Sequence, residues 1–120
     1  MGRSAKTPPL DWADGTYVFC LRWGELTELQ EACNAGPFVV LGRLMTNQWL
    51  TGDISAVIRL GLIGGGTDPA KALRLVRDYV EAYPPGENAS MARGILEIAI
   101  MGAPEELAGE SSAAAGPESA

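Results

Sequence analysis

The most informative part of the sequence is the segment Asp53–Gly66, which has the sequence DISAVIRLGLIGGG. Its apolar residues recur at positions i, i+3, i+4, i+7 and i+8, which is the spacing of one face of a helix (Ile54, Val57, Ile58, Gly61 and Leu62). Thr51 or Asp53 can cap this helix by accepting a hydrogen bond from a free backbone N–H. Three consecutive glycines follow, and they predict a flexible connection or hinge between two helices.

Two further helices are predicted on the C-terminal side of this segment. The first spans Asp68–Tyr83, with Thr67 as a good N-cap and Pro69 in the first turn, where its missing N–H costs nothing. Its apolar and charged residues lie on separate faces. The second spans about 88–101 and has a wide apolar surface.

On the N-terminal side, the sequence predicts a hairpin and then two more helices. Asp14-Gly15 is a strong hairpin turn signal between a short strand at 10–13 and a strand at 16–22 that is rich in β-branched and aromatic residues. From Glu25 the apolar spacing becomes helical. The segment 38–45 is apolar almost throughout, so it fits a buried strand or a helix, and Pro37 at its start favours the helix.

These elements predict a mainly α fold of the α+β class, with an N-terminal β-hairpin followed by about five short helices. We expect residues 1–9 to form a disordered leader and residues 10–103 to form a single globular domain. We expect residues 104–120 to form a disordered acidic tail, because its Ala, Gly, Ser, Glu and Pro residues cannot bury enough surface to fold.

Charge and histidine content limit the possible classes of function. The 120 residues include 9 Lys and Arg against 15 Asp and Glu, a net charge of −6, and no histidine. Binding to nucleic acid or to an anionic membrane needs concentrated positive charge, so neither is an expected partner. The lack of histidine excludes Ser-His-Asp and Cys-His catalysis and histidine metal sites. We therefore expect a protein that is not an enzyme and that needs no cofactor.

The cysteine content and the apolar stretches bear on the compartment. Two cysteines, Cys20 and Cys33, are too few for a disulfide framework. No signal peptide is predicted, and the apolar stretches are shorter than the ~20 residues that cross a bilayer. The expected location is the cytoplasm, with both thiols reduced and buried.

Three patterns resemble chemical sites, and each has a simpler structural explanation. Gly61–Thr67 has the glycine spacing of a phosphate loop, but Thr67 replaces the lysine and a helix precedes it instead of a strand. Glu25, Glu28 and Glu31 lie towards the start or the polar side of a helix, where carboxylates are normally solvated. The cysteines do not form a CxxC pair, and no histidine can complete a zinc set. We predict no catalytic, cofactor or metal site.

Several apolar groups remain candidates for contact with another protein. Trp12, Trp23 and Trp49 lie in or beside predicted connections, where tryptophans most often supply core. Trp49, in a polar connection, is the best candidate for an exposed apolar contact. The second and last helices are more apolar than a surface helix needs, so they are either central in the core or present one face to another chain.

Two stretches resemble a known protein family. DGTY at 14–17 and LRWGELTEL at 21–29 resemble the opening of the small tail proteins of gene transfer agents and related siphophages. The segment 53–66 resembles the second signature of that family, an apolar helix that ends in a glycine-rich break. The resemblance covers residues 14–103, and the sequence departs from the family pattern at Cys20, Trp23 and Gln30.

The resemblance implies a role in virion morphogenesis. The family has been labelled a tail tube protein, but gene size and layout in tailed phages make it similar to tail-assembly chaperones. Such chaperones bind the long apolar tape-measure protein, keep it soluble, help recruit tube subunits and are absent from the finished particle. The implied partners are the tape-measure protein and the tail tube protein, with self-association left open, and the implied source is a gene transfer agent, a siphophage or a prophage.

We predict that the partner contacts apolar residues of the second helix, the next connection and the last helix: Phe38, Leu41, Leu44, Trp49, Met91, Ile95 and Ile98. Two alternatives remain open. One is a structural tail tube subunit retained in the particle, which would usually need a β-rich body to join rings through sheets. The other is a small protein-binding adaptor.

Overall fold

A computed structural model of the protein describes residues 2–104. A hairpin of β1 (Leu10–Trp12) and β2 (Gly15–Tyr17) precedes five α-helices: α1 (Trp23–Cys33), α2 (Pro37–Met45), α3 (Thr51–Gly64), α4 (Pro69–Tyr79) and α5 (Ala89–Met101). The predicted fold class is confirmed, and the segment that fitted either strand or helix is the helix α2. Apart from Pro104, the predicted acidic tail lies outside the described residues.

The hairpin is shorter than predicted, and its turn lies one residue earlier. Leu10 pairs with Tyr17 and Trp12 pairs with Gly15, so the two turn residues are Ala13 and Asp14. Trp12 packs edge-on against the rings of Tyr17, Phe19 and Tyr79, with centroids 5.8–6.2 Å apart. Its indole N–H donates to the Asn88 side chain at 3.1 Å, which ties the hairpin to the start of α5.

The chain that follows β2 finds its backbone partners outside the hairpin. The N–H of Thr7 donates to the Phe19 carbonyl at 2.8 Å, and the Phe19 N–H donates to the Thr7 hydroxyl at 3.0 Å. The Cys20 N–H donates to the Gly61 carbonyl on α3 at 3.0 Å. The strand predicted over 16–22 therefore pairs with β1 only as far as Tyr17. Beyond Tyr17 the backbone groups bond to the N-terminal segment and to α3.

These bonds involve the N-terminal segment that the sequence predicted to be a disordered leader. Thr7 is buried, and Lys6 forms an isolated bridge with Cys20. The Ser4 carbonyl accepts a hydrogen bond from the Ala103 N–H at 2.7 Å, beyond the end of α5. Residues 4–7 therefore lie against the domain, because their backbone groups bond to the chain after β2 and to the chain beyond α5.

Helix α3 lies at the centre of the fold. Eight of its 14 residues are buried, and α1, α4 and α5 all pack against it. Helix α2 packs mainly on α5. The largest fully buried side chains join these helices to the chain after β2: Phe19, Leu21, Leu29, Ile54, Ile58, Leu60, Leu62, Ile95 and Leu96. No helix within residues 2–104 is long and apolar enough to cross a membrane.

The glycine-rich end of α3 is a packing site, not the flexible hinge that the sequence suggested. A Cβ atom at Gly64 would overlap the Cys20 carbonyl oxygen, and one at Gly65 would overlap that of Val18. The chain after β2 therefore lies directly on the helix backbone. Only glycine permits this approach, because any side chain would collide with main-chain atoms that cannot rotate away.

Candidate partner-binding surface

Helix α2 has a buried side and an exposed side that are both apolar. Pro37 occupies its first turn and Gly36 is its N-cap, as expected of a helix start. The side that faces the fold carries Val40, Leu41 and Leu44, which are at most 3% exposed. The outward side carries the exposed residues Phe38 (71%), Val39 (55%) and Met45 (49%). We call these three residues the α2 face.

The one charged residue of α2 is used inside the fold. The nine-residue helix has the sequence PFVVLGRLM, so Arg43 is its only ionisable side chain. Its guanidinium lies 3.3 Å from a carboxylate oxygen of Asp53, which is 1% exposed. The same carboxylate accepts the Leu50 N–H at 2.9 Å and so caps α3. This ion pair joins α2 to α3 and leaves the α2 face without any charge.

Cys33, at the end of α1, lies beside this ion pair. Burial, and then a hydrogen bond to Asp53, raises the pKa of the Cys33 thiol to about 12, against an ordinary value near 9. The folded state therefore holds this proton more tightly than the unfolded chain does. The stabilising contribution of the thiol is present below pH of about 9 and is lost as the pH rises towards 12.

We expect a steeper loss of stability in alkaline solution for the native chain than for a Cys33→Ala variant. Urea unfolding at a series of pH values between about 8 and 11 measures the two slopes. The two proteins differ only at residue 33, so the comparison isolates the contribution of that thiol. Equal slopes in the two proteins would contradict the protonated, buried thiol.

Helix α5 presents a second apolar edge beside its buried side. Met101 is exposed and Met91 and Ile98 are half-buried, whereas Ala92, Ile95 and Leu96 are buried. Met91, Ile98 and Met101 fall on one side of the helix, since they are spaced by seven and by three residues. Because α2 packs on α5, two helices in contact each expose apolar side chains.

The predicted contact residues are divided by the structure between the core and the surface. Phe38 is exposed, and Trp49, Met91 and Ile98 are half-buried. Leu41, Leu44 and Ile95 are core residues, each at most 3% exposed, because they lie on the sides of α2 and α5 that face each other or α3. A partner can reach these three only if the core opens.

Several exposed apolar residues were not predicted from the sequence. Trp23 was assigned to the core, but it begins α1 and is 86% exposed. Val39 and Met45 were not predicted to contact a partner. Val39 directly follows Phe38, and Met45 follows Phe38 by seven residues, which places it on the same side of the helix. The composition of α2 indicates this exposed apolar side, because a nine-residue helix with one charged residue cannot have a polar outer side.

The three patterns that resembled chemical sites have structural roles in the described residues. Gly61–Thr67 packs on the chain after β2, as shown above. Glu25 accepts the Arg22 N–H at 2.8 Å and so caps α1. Both cysteines are buried free thiols, and no group of three or more potential ligands for a metal ion occurs within 2–104.

Comparisons with known proteins identify the family. A search of curated proteins and a search of solved structures found no match to this chain. A family model described as phage tail tube protein, GTA-gp10, matches residues 7–102. The match includes the hairpin, all five helices and Thr7, the buried residue of the N-terminal segment. The chain is therefore a member of this gene transfer agent and phage tail family.

Proposed function

We propose that this protein is a tail-assembly chaperone, without enzymatic activity, that binds the tape-measure protein and helps recruit tail tube subunits. The observation that carries the proposal is the α2 face. A helix that is apolar around most of its surface is normally enclosed by protein, but α2 exposes Phe38, Val39 and Met45 to solvent. Such a patch is the kind of surface that another protein covers.

The shape of α2 suits contact with a helical partner. Gly42 lies between Phe38 and Met45 along the exposed side, and a Cβ atom there would meet nothing within 4 Å. Alanine at an open helix position is more stable than glycine by about 0.5–1 kcal/mol, so the fold does not require this glycine. Its absence of a side chain leaves a notch into which a partner residue can fit. Packing of an amphipathic tape-measure helix on this face is the expected mode of binding.

The small sheet favours a chaperone over a tube subunit. Tube subunits usually join successive rings through extensive sheets, whereas the hairpin here has strands of three residues each. The family description names the tail tube, so the structural role is the second candidate. Mass spectrometry of purified particles separates the two roles. A chaperone is expected to be absent or at trace level, and peptides in proportion to a tube protein would support the subunit role.

A charged residue on the α2 face tests the binding surface. We expect Phe38→Asp to reduce recovery of the tape-measure protein in a pull-down by about tenfold or more, because an aspartate there must be desolvated on binding. Tyr83→Asp is the matched control, since Tyr83 is also an exposed aromatic residue but lies in the α4–α5 connection. Both variants should retain the native circular dichroism spectrum. Equal recovery with Phe38→Asp and with the control would contradict the assignment of the α2 face.

A further inference from the structure

Helix α5 has a shallow groove of about 460 Å³ on its outer side, which we call the α5 groove. Gly94, Ile98 and Met101 line it from one side of the helix, since they are spaced by four and by three residues. Met101 is exposed and Ile98 is half-buried. A Cβ atom at Gly94 would meet nothing within 4 Å, so the groove is open at that position. The groove therefore has room for an apolar side chain beside Ile98.

The opposite end of the α5 groove carries a positive charge. The side chain of Arg3 lies directly on Gly102, where an added Cβ atom would overlap it. No ion pair among residues 2–104 involves Arg3. The other charged residue that lines the groove is Glu97, whose carboxylate lies 3.9 Å from Arg93 on the same helix. The guanidinium of Arg3 is therefore the charge of this groove that has no counter-charge among the described residues.

The chain continues from this groove into an acidic segment, residues 105–120, which lies outside the described residues. Pro104 lines the groove, and the next three residues are Glu105, Glu106 and Leu107. The acidic segment contains four glutamates and no basic residue, and Leu107 is its one large apolar side chain. Two carboxylates and a leucine thus follow a groove that offers one guanidinium and an apolar opening.

Leu107 is close enough in the chain to reach that opening. At about 1.5 Å per residue, Ile98 lies about 6 Å and Gly94 about 12 Å from Gly102 along the helix axis. Three residues of extended chain span at most about 10 Å. A chain that returns along α5 from Pro104 therefore places Leu107 beside Ile98. Because the segment is attached at the groove itself, its local concentration is on the order of millimolar, so a weak contact is sufficient.

We propose that residues 105–107 occupy the α5 groove of their own chain. Leu107 lies on Ile98, and the two carboxylates that precede it lie beside Arg3. The segment then covers part of the apolar edge of α5 as long as no other protein binds there. This contact uses none of the α2 face and does not depend on the proposed function.

Leu107→Asp in the full chain tests the contact by NMR. An aspartate would have to be desolvated to enter the groove, so the segment should leave it. We expect the backbone amide resonances of Gly94 and Ile98 to shift, and both residues are far from residue 107 in the sequence. Ala114→Asp is the matched control, because it adds the same charge farther along the acidic segment, and it should leave both resonances unchanged. Circular dichroism verifies that each variant is folded.

A charge swap tests the role of Arg3. In Arg3→Glu, like charges meet and the segment should leave the groove. Addition of Leu107→Asp to this variant should therefore shift the same two resonances much less than it does in the native chain. Reversal of both Glu105 and Glu106 to arginine in the Arg3→Glu variant restores opposite charges. The effect of Leu107→Asp should then return to its native size.

Four results would overturn the proposal. The first is a Leu107→Asp variant with unchanged Gly94 and Ile98 resonances, and the second is an equal effect of Ala114→Asp. The third is an undiminished effect of Leu107→Asp in the Arg3→Glu variant. The fourth is an effect that appears only as the protein concentration is raised, which would place the segment of a second copy in the groove. The Phe38→Asp pull-down tests a different surface, so the two proposals can fail independently.

Discussion

Alanine at Gly64 or Gly65 is expected to destabilise the protein by about 3 kcal/mol or more, which is a large part of the total stability of a typical domain. At both positions the new methyl group would overlap a main-chain carbonyl oxygen, of Cys20 and of Val18 respectively. Main-chain atoms have no rotamer to adopt, so the chain after β2 would have to leave α3. That movement would also break the hydrogen bond from the Cys20 N–H to the Gly61 carbonyl.

The same substitution at Gly42 is the matched control. Gly42 also lies in a helix, but a methyl group there meets open space. Alanine should therefore raise stability by about 0.5–1 kcal/mol through its better helix propensity. Urea unfolding followed by circular dichroism gives both values. Similar stabilities for Gly64→Ala and Gly42→Ala would show that α3 and the chain after β2 are not in direct backbone contact.

Loss of Arg43 is expected to cost about 3 kcal/mol, because it leaves the Asp53 carboxylate buried without a counter-charge. Met is the suitable replacement in Arg43→Met, since it retains the apolar length of the side chain. Asp53 is 1% exposed and also caps α3, so it cannot turn out to water without uncapping that helix. The energetic loss is therefore larger than for a surface ion pair.

Removal of the unpaired charge should recover part of this loss. The double variant Arg43→Met with Asp53→Asn retains a side-chain oxygen for the Leu50 N–H but has no buried charge. We expect it to be more stable than Arg43→Met alone by about 1 kcal/mol or more. A double-mutant cycle from urea unfolding supplies the coupling energy. Additive losses in the two single variants would contradict a direct interaction between Arg43 and Asp53.

The helices and the hairpin could be predicted because their signals are local. The apolar spacing of Ile54, Val57 and Ile58 is a property of α3 itself, and Pro37 indicated a helix start before any tertiary contact was known. Family membership also depended on local patterns in the correct order. These features need no knowledge of which elements pack together.

The remaining features depend on contacts between distant parts of the chain. The glycines after Leu62 suggested a hinge, but their role is set by Val18 and Cys20, which lie more than 40 residues earlier. Thr7 was placed in a disordered leader because its buried partner, Phe19, cannot be read from the sequence near it.

The candidate binding surface shows the same limit. Helical spacing groups Leu41 and Leu44 on one side and Phe38 and Met45 on another, but both sides are apolar. Only the packing of α2 against α5 shows which side is buried. Ile95 was predicted to contact a partner for the same reason. Helix α5 is apolar on more than one side, and its sequence does not show which side is buried.

The most direct measurement of the central claim is the solubility of the tape-measure protein when it is co-expressed with this chain. We predict that it stays in the soluble fraction and co-purifies with the native chain, and that it becomes insoluble when the chain is absent or carries Phe38→Asp. A tape-measure protein that is insoluble in every case, with no complex formed, would contradict the chaperone assignment and favour a structural role in the tail.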